Sequence, residues 1–423
     1  MFTRIKSLRK PLYENAFYLI LSTAVMNVLG FLYWFIAARL YSDEDVGLVS
    51  AVIAAAGILS ILSEFGLGIS LIRFLPLSEG EKGNEMINSC INVCTYASLV
   101  LTVIFIAGLD LWSPSLISVR RNIMFLIFFL IFTPTTTLNS LTNHIFVAKR
   151  AARFELIANA IRRPLSILLV VIFAFVFNSA YGLFVSSSFS LLFGIILTIV
   201  VFIPKVQKDY RFSFSIKTKY IKEMYSYSAG NYITKVFLQL PSHIFPVMVA
   251  NILGPQQNAY FSMVWWTVSI INVLTTSISN SMFAEGSYQE KTFRKDASRA
   301  LKMTIFALVL IVLLFLIISD KLLLLFGRSY SENGATLLRI MSLSVIPWSI
   351  NYIYITIGRI EKSIGNLIKV SVASAVTTVG FGYFMILKMG LNGAGFGWAL
   401  GQTIVAIPTA FYVFRSFILM PRK

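Results

Sequence analysis

Long apolar runs, separated by short polar segments, dominate the chain. Each run reaches roughly 20 residues or more, the length that a helix needs to cross the hydrocarbon core of a bilayer. The runs are continuous and do not alternate, so they predict α-helices and not the strands of a membrane barrel. Twelve such runs occur, at about 14–40, 47–75, 86–109, 122–147, 153–177, 182–203, 227–252, 257–284, 300–319, 335–358, 364–387 and 393–414.

Composition supports this interpretation and excludes a water-soluble domain. Hydrophobic residues make up 57% of the chain and charged residues 13%, whereas soluble domains carry about 25% charged residues. The basic segment 1–10 is followed by no cleavage-site pattern, so the first run is expected to remain as a span. The sequence therefore predicts an all-α, polytopic membrane protein with about twelve transmembrane helices.

Positive charge is concentrated in particular loops, although the net charge of +18 could suggest nucleic-acid binding. With the N-terminus inside, most Lys and Arg residues lie on the cytoplasmic side, as the positive-inside rule requires. We therefore expect a plasma (inner) membrane protein with both termini cytoplasmic and no nucleic-acid partner. The two largest basic groups are Lys205, Lys208, Arg211, Lys217, Lys219 and Lys222, and Lys291, Arg294, Lys295, Arg299 and Lys302.

The two halves of the chain share their design. A shift of about half the length aligns Asn139 with Asn351, Arg150 with Lys362, and several span boundaries. Six spans per half give both halves the same orientation, with a symmetry axis along the membrane normal. We expect a six-helix lobe at 1–204, a basic cytoplasmic linker at 205–226 and a second six-helix lobe at 227–423, around a central cavity.

A polar stripe marks the seventh span. Asn231, Lys235, Gln239 and His243 recur every four residues, which places them on one helix face. A lysine is difficult to bury in a dry interior, so the stripe favours a substrate-lining role in a water-filled cavity. Hydrogen bonding between packed helices is the alternative. Asn27, which the half-chain shift aligns with Gln239, joins the candidate cavity residues.

The fifth span contains Asn159 and two adjacent arginines, Arg162 and Arg163. Arg162 lies about nine residues into the run, or ~14 Å at 1.5 Å per residue, which is deep for snorkelling to the surface. These three residues are candidate substrate-binding groups. If the span starts later, both arginines lie at the membrane interface, and that alternative stays open.

Candidate gating or coupling residues are scarcer. Glu64 is the only clear acidic residue at depth. Arg73 and Glu285 occupy equivalent places near the inner ends of the second and eighth spans, and we expect them to pair across the cytoplasmic entrance when it is closed. Two independent interfacial charges are the alternative. His144, near the inner end of the fourth span, is interpreted as an interfacial polar residue.

The sequence contains no motif typical of an enzyme. It has no Walker-type glycine loop, no metal-ligand spacing and no nucleophile triad, so no catalytic residue, metal or cofactor is expected. Cys90 and Cys94 share a helix face without a nearby His or acid, and we interpret them as small packing residues. The deep charges are mainly cationic, and a cavity with this balance favours a phosphate or carboxylate ligand.

Motifs in the first 80 residues resemble the polysaccharide or O-antigen (Wzx-type) flippases of the multidrug/oligosaccharidyl-lipid/polysaccharide exporter superfamily. This resemblance implies a MATE-like fold and transport of an isoprenoid-pyrophosphate-linked saccharide from the inner to the outer leaflet by alternating access. It assigns Arg39, Glu64 and Arg73 to matching motif positions. The motifs are NAFY at 15–18, AARLYS at 37–42, DVG at 45–47, EFGLG at 64–68 and IRFLP at 72–76, with NGAG at 392–395.

Two other functions remain open at this point. A cation-coupled multidrug exporter of the same superfamily would use deep carboxylates, for which Glu64 is the one candidate. A non-transporting scaffold for a glycan-synthesis complex would dock partners on its basic loops. The expected partners are a lipid-linked saccharide, membrane lipid, and a glycan polymerase or glycosyltransferases, and a monomer suffices because the cavity lies between the halves of one chain.

Overall fold

The computed structural model describes residues 2–78, 80–286 and 290–415, and these are almost entirely helical. Long apolar runs form helices because a helix satisfies its own backbone hydrogen bonds. The α-helices are α1 Phe2–Leu40, α2 Asp43–Ser63, α3 Leu67–Phe74, α4 Gly80–Ala107, α5 Leu109–Trp112, α6 Ile117–Arg121, α7 Ile123–Ala148, α8 Ala152–Val176, α9 Ala180–Leu197, α10 Ile203–Val206, α11 Thr218–Leu253, α12 Pro255–Gly286, α13 Glu290–Leu324, α14 Arg328–Ile360 and α15 Ile364–Phe414.

Twelve helical segments of the described chain are long and apolar enough to cross a membrane. The predicted all-α, twelve-span class is therefore confirmed, and the protein is a multi-pass membrane protein. The longest helix, α15, contains two of these spans, Ile364–Met389 and Leu391–Phe414. They meet at Gly390, whose φ of 59° lies in the left-handed region that glycine tolerates.

The second predicted span differs from the continuous run expected at 47–75. It breaks between α2 and α3, where Phe65 and Gly66 adopt φ values of 49° and 73°. A Cβ atom at Gly66 would lie 2.8 Å from both Ser228 Oγ and Tyr232 Cβ, so the break also needs glycine for close packing. Hydropathy missed this break because the residues on both sides of it are mainly apolar. The break leaves the buried Glu64 at the end of α2.

The chain forms two compact units, Met1–Tyr232 and Ile233–Lys423. In the first unit α1 packs along α8, and α7 packs against α4 and α9. One apolar core there joins α3, α4 and α7, and it includes Leu71, Ile87 and Ile145. Cys90 and Cys94 are buried free thiols in this core.

In the second unit α14 packs against α12, α13 and α15. A buried polar network holds α14 to the second span of α15. Asn351 Nδ2 donates to Gln402 O and Oε1, both at 3.0 Å, and Thr409 Oγ1 donates to Asn351 Oδ1 at 2.8 Å. Gln402 Nε2 in turn donates to Ser374 and Thr378 on the first span of α15. Such fully bonded networks fix helix packing in an apolar surrounding.

Left-handed turns occur at matching positions of the two units. Arg150, with φ of 52°, follows α7, and Lys362, with φ of 57°, follows α14. Asn178, with φ of 35°, separates α8 from α9, and Gly390 separates the two spans of α15. Arg150 and Lys362 are separated by the same number of residues as Asn178 and Gly390. This interval is the one that aligned the two halves in sequence. The matched turns support an internal repeat.

The basic loop after α10 lies along α4. Three asparagines of α4 at four-residue spacing donate to its backbone: Asn84 to Asp209 O at 2.9 Å, Asn88 to Arg211 O at 2.8 Å and Asn92 to Ser213 O at 2.8 Å. One helix face therefore holds the loop in place up to the start of α11.

Candidate functional site: a buried arginine pair

Helix α8 carries the two arginines into the interior of the first unit. The helix begins at Ala152, one residue before the predicted run, so Arg162 lies ~15 Å along its axis. Arg162 is only 8% exposed, and Arg163 is partly exposed. A guanidinium remains charged in proteins, so these residues place positive charge inside an apolar helix bundle.

A short hydrogen-bond chain orients Arg162. Arg162 Nη2 donates to Asn159 Oδ1 at 3.1 Å, and Asn159 Nδ2 donates to Ser22 Oγ on α1 at 3.1 Å. Asn159 is itself buried. The structure thus brings together Asn159 and Arg162, as the helical spacing predicts, and joins both to α1 through Ser22, which sequence reasoning missed.

Both arginines also converge on one sulfur atom. Arg162 Nη2 and Arg163 Nε each lie 3.4 Å from Met26 Sδ on α1. A thioether is a weak acceptor, so these contacts leave most of the donor capacity of the two guanidiniums available. Among the described residues neither arginine forms an ion pair with a carboxylate. The remaining N–H groups can donate hydrogen bonds to the oxygens of an anionic ligand.

A glycine on α9 makes room for the arginine stem. A Cβ atom at Gly194 would lie 2.8 Å from Arg162 Cδ and 3.3 Å from Arg162 Cβ. Both distances are shorter than ordinary van der Waals contact, so any larger residue at this position would displace Arg162. Helices α1, α8 and α9 together therefore fix the pair.

Glu155, in the first turn of α8, adds a carboxyl group to the surroundings of the arginine pair. Its carboxyl group accepts a hydrogen bond from Ser22, and its Oε2 atom is buried without a hydrogen-bond partner among the described residues. The sequence contains one sign of this residue, since Glu155 falls within the apolar run predicted at 153–177. Because Ser22 contacts both Glu155 and Asn159, one hydroxyl joins the acidic and cationic ends of this site.

Glu64 has a site of its own at the break between α2 and α3. It is 1% exposed, and its Oε2 accepts a hydrogen bond from Ser140 Oγ at 3.0 Å. His144 Nδ1 lies 3.7 Å from Glu64 Oε1 and 2.7 Å from Ser140 O. His144 is partly exposed, so it connects this buried carboxylate to the accessible surface. The interfacial interpretation of His144 omitted this pairing, since the two residues are far apart in sequence.

None of the four residues of the polar stripe on α11 is fully buried. Asn231, Lys235 and His243 are partly exposed, and Gln239 is exposed. Asn27 is partly exposed and donates within its own helix to Thr23 O at 2.8 Å. The cavity role of these residues stays a prediction.

The remaining gating candidates lie at helix ends. Arg39 is exposed in the last turn of α1. Arg73 is exposed at the end of α3, with its guanidinium carbon 4.3 Å from the ring centroid of Tyr227. The side chain of Glu285 lies outside the described residues, so the predicted Arg73–Glu285 pair stays a prediction.

Solved structures of transporters share this fold. A multidrug resistance MATE family transporter of the MOP superfamily, in an inward-facing conformation, superimposes with a TM-score of 0.73, 15% identity, and 94% of this chain and 97% of the other covered. Lipid II flippase MurJ, in an inward closed conformation, gives a TM-score of 0.76 and 14% identity, with 94% and 88% covered. The fold is therefore that of the MATE-like transporters, as the resemblance predicts.

Sequence comparison defines the family. Residues 12–284 match the family described as "Polysaccharide biosynthesis protein". This chain belongs to that family, which confirms the resemblance drawn from its motifs. A protein of Shigella flexneri, described as "Putative O-antigen transporter", is 23% identical over 230 residues, or 51% of this chain. The aligned region spans about half of that relative, 53% of its length.

Proposed function

We propose that the protein flips a lipid-linked oligosaccharide or polysaccharide repeat unit from the inner to the outer leaflet by alternating access. The observation that carries this proposal is the Arg162–Arg163 pair, which is held inside the first unit against a thioether and without a carboxylate partner among the described residues. The polysaccharide biosynthesis family and the O-antigen transporter relative support the saccharide part of the substrate.

In this mechanism the arginine pair binds the pyrophosphate that joins the saccharide to its isoprenoid carrier. Planar guanidinium groups match phosphate oxygens in geometry and charge. Asn159 orients Arg162, and the α11 stripe of Asn231, Lys235, Gln239 and His243, together with Asn27, lines the path of the hydrophilic saccharide. Glu64, Arg39, Arg73 and Glu285 serve gating or coupling between the inward and outward states.

The proposed setting is the plasma membrane, with both termini cytoplasmic and lobes at 1–204 and 227–423 joined by 205–226. Both proposed lobes belong to one chain, so a monomer is sufficient for this transport. The proposed partners, a glycan polymerase or glycosyltransferases, carry out the chemistry on the substrate on the two sides of the membrane. The protein itself moves the substrate, so we propose a transporter and not an enzyme. Consumption of the product, an ion gradient or the membrane potential drives the direction of transport.

The test is leaflet-resolved accumulation of lipid-linked saccharide in cells that carry Arg162→Ala with Arg163→Ala, at matched protein levels. Arg153→Ala is the matched control, because Arg153 lies on the same helix, is exposed and lies over the ring of Phe154. We expect precursor to accumulate on the cytoplasmic face in the double variant and not in the control. Normal movement of the precursor in the double variant would falsify the proposed site.

A cation-coupled drug exporter is the second candidate, and the buried carboxylate of Glu64 and the buried Oε2 atom of Glu155 favour it. Such groups bind protons or cationic drugs in a low-dielectric interior. Deletion of the gene distinguishes the two functions, since an exporter protects against cationic drugs and a flippase does not. An unchanged drug susceptibility together with accumulated precursor would eliminate this alternative.

A further inference from the structure

A cavity of about 610 Å³ opens in the second unit between α14 and the two spans of α15. Its volume is in the range of pockets that hold small molecules. Most of its wall is apolar and includes Val370, Ile404, Pro408 and Phe411. An occupant therefore needs an apolar body.

Two cations, Lys369 and Arg415, also line this cavity. Lys369 lies in the second turn of α15, and Arg415 directly follows the last residue of that helix. The helix doubles back at Gly390, so its first turns and its last turn lie at the same end of the bundle. Both cations therefore lie near one membrane surface, while the apolar wall extends towards the hydrocarbon core.

Neither cation is neutralised by the part of the chain that the structure describes. Among the described residues, Lys369 and Arg415 form no ion pair and no hydrogen bond, and both are exposed. The acidic residue of the adjacent turn, Glu361, accepts a hydrogen bond from Tyr412 Oη at 2.8 Å. An occupant that combines an anionic head with an apolar body matches this distribution of charge.

A second, smaller cavity adjoins the first. It measures about 400 Å³ and is lined only by apolar residues, among them Ile305, Ile353 and Val413. Phe411 lines both cavities, so the two adjoin at its side chain. Two apolar cavities that share one wall match a lipid with two acyl chains better than a lipid with a single isoprenoid chain.

We propose that this surface binds an acidic glycerophospholipid of the bilayer, with its phosphate at Lys369 and Arg415 and one acyl chain in each of the two cavities. Basic pockets between transmembrane helices bind anionic lipid headgroups in this way, and Lys and Arg near the surface strengthen such binding. The inference is independent of the substrate that the protein transports. The bound lipid seals the surface where α14 and the two spans of α15 meet.

Native mass spectrometry of the full-length protein in detergent tests this site, with phosphatidylglycerol and phosphatidylcholine as probes. We expect one tightly bound phosphatidylglycerol molecule per chain and weaker binding of phosphatidylcholine. The double variant Lys369→Gln with Arg415→Gln weakens phosphatidylglycerol binding roughly tenfold or more. The matched control, Arg359→Gln with Lys362→Gln, removes the same charge from exposed positions in the last turn of α14 and just after it, and leaves binding unchanged.

A cavity-filling variant tests the apolar part separately. Ala373→Trp keeps both cations and fills the larger cavity, so we expect it to weaken the binding of both phospholipids. Thermal unfolding in detergent is expected to show that this variant is still folded. Equal affinity for the two phospholipids, or an equal loss in the control variant, overturns the proposal. Displacement of phosphatidylglycerol by a lower concentration of polyprenyl phosphate also overturns it, since that result assigns the surface to a single-chain lipid.

Discussion

Glu64 and His144 meet at the break between α2 and α3, where His144 Nδ1 lies 3.7 Å from Glu64 Oε1. The carboxylate is buried, and the imidazole is partly exposed. A buried acidic group beside a titratable ring is a local electrostatic unit whose charge depends on protonation. The unit lies at the break in the helix, where the backbone leaves regular α-helical geometry.

Removing the charge of Glu64 tests that role. Glu64→Gln keeps the size of the side chain and its acceptor for Ser140, so we expect a normal unfolding temperature and a several-fold lower transport rate. Glu64→Ala also loses the buried hydrogen bond, so the free energy of unfolding falls by about 1–3 kcal/mol. Glu44→Gln, at an exposed position in the first turn of α2, is the control. Full transport by Glu64→Gln would show that the carboxylate is structural.

A methyl group at Gly194 tests whether the position of Arg162 matters apart from its charge. The added Cβ would lie 2.8 Å from Arg162 Cδ, so the stem of the arginine has to move. We expect Gly194→Ala to weaken binding of a pyrophosphate-bearing lipid in a titration while the protein remains folded. Gly380→Ala, where nothing lies within 4 Å of the new Cβ, leaves binding unchanged. Equal binding by both variants contradicts the site.

The basic loop depends on α4 for its order. Asn88 donates to Arg211 O and accepts a hydrogen bond from Tyr210 Oη, both at 2.8 Å. Asn84 is partly exposed and makes one exposed hydrogen bond, to Asp209 O. We expect Asn88→Ala to increase amide exchange across 207–217 strongly, and Asn84→Ala to increase it less, because exposed hydrogen bonds protect less. Hydrogen–deuterium exchange measures both. Unchanged exchange in Asn88→Ala would mean that other contacts hold the loop.

Stability of the second unit depends on Asn351. Asn351→Ala removes the hydrogen bonds to Gln402 O and Oε1 and the bond from Thr409 Oγ1, so we expect the free energy of unfolding to fall by about 1–3 kcal/mol. Asn366→Ala, at an exposed position near the start of α15, is the matched control. Thermal unfolding in detergent compares the two variants, and an equal effect of both would contradict the importance of the network.

Hydropathy predicted the spans well because the bilayer imposes length and apolarity on every helix. It missed the break at Phe65 and Gly66 because backbone dihedral angles do not follow from hydrophobicity. Glycines on both sides of Leu67, next to an acid in an apolar run, were the signal for this break. Helical spacing predicted that Asn159 and Arg162 share a face. It could not predict Met26, Ser22 or Gly194, since those contacts come from the packing of other helices.

Transport by the purified protein in liposomes tests the central claim most directly. The probe is a fluorescent saccharide linked through pyrophosphate to a short polyprenyl chain, and the measurement is its movement between leaflets. We predict transport by the wild type and by Arg153→Gln. Arg162→Gln with Arg163→Gln is predicted to be slower by roughly tenfold or more, because charge-assisted hydrogen bonds to the pyrophosphate are lost. An unchanged rate in that double variant would contradict the proposal that the arginine pair holds the substrate.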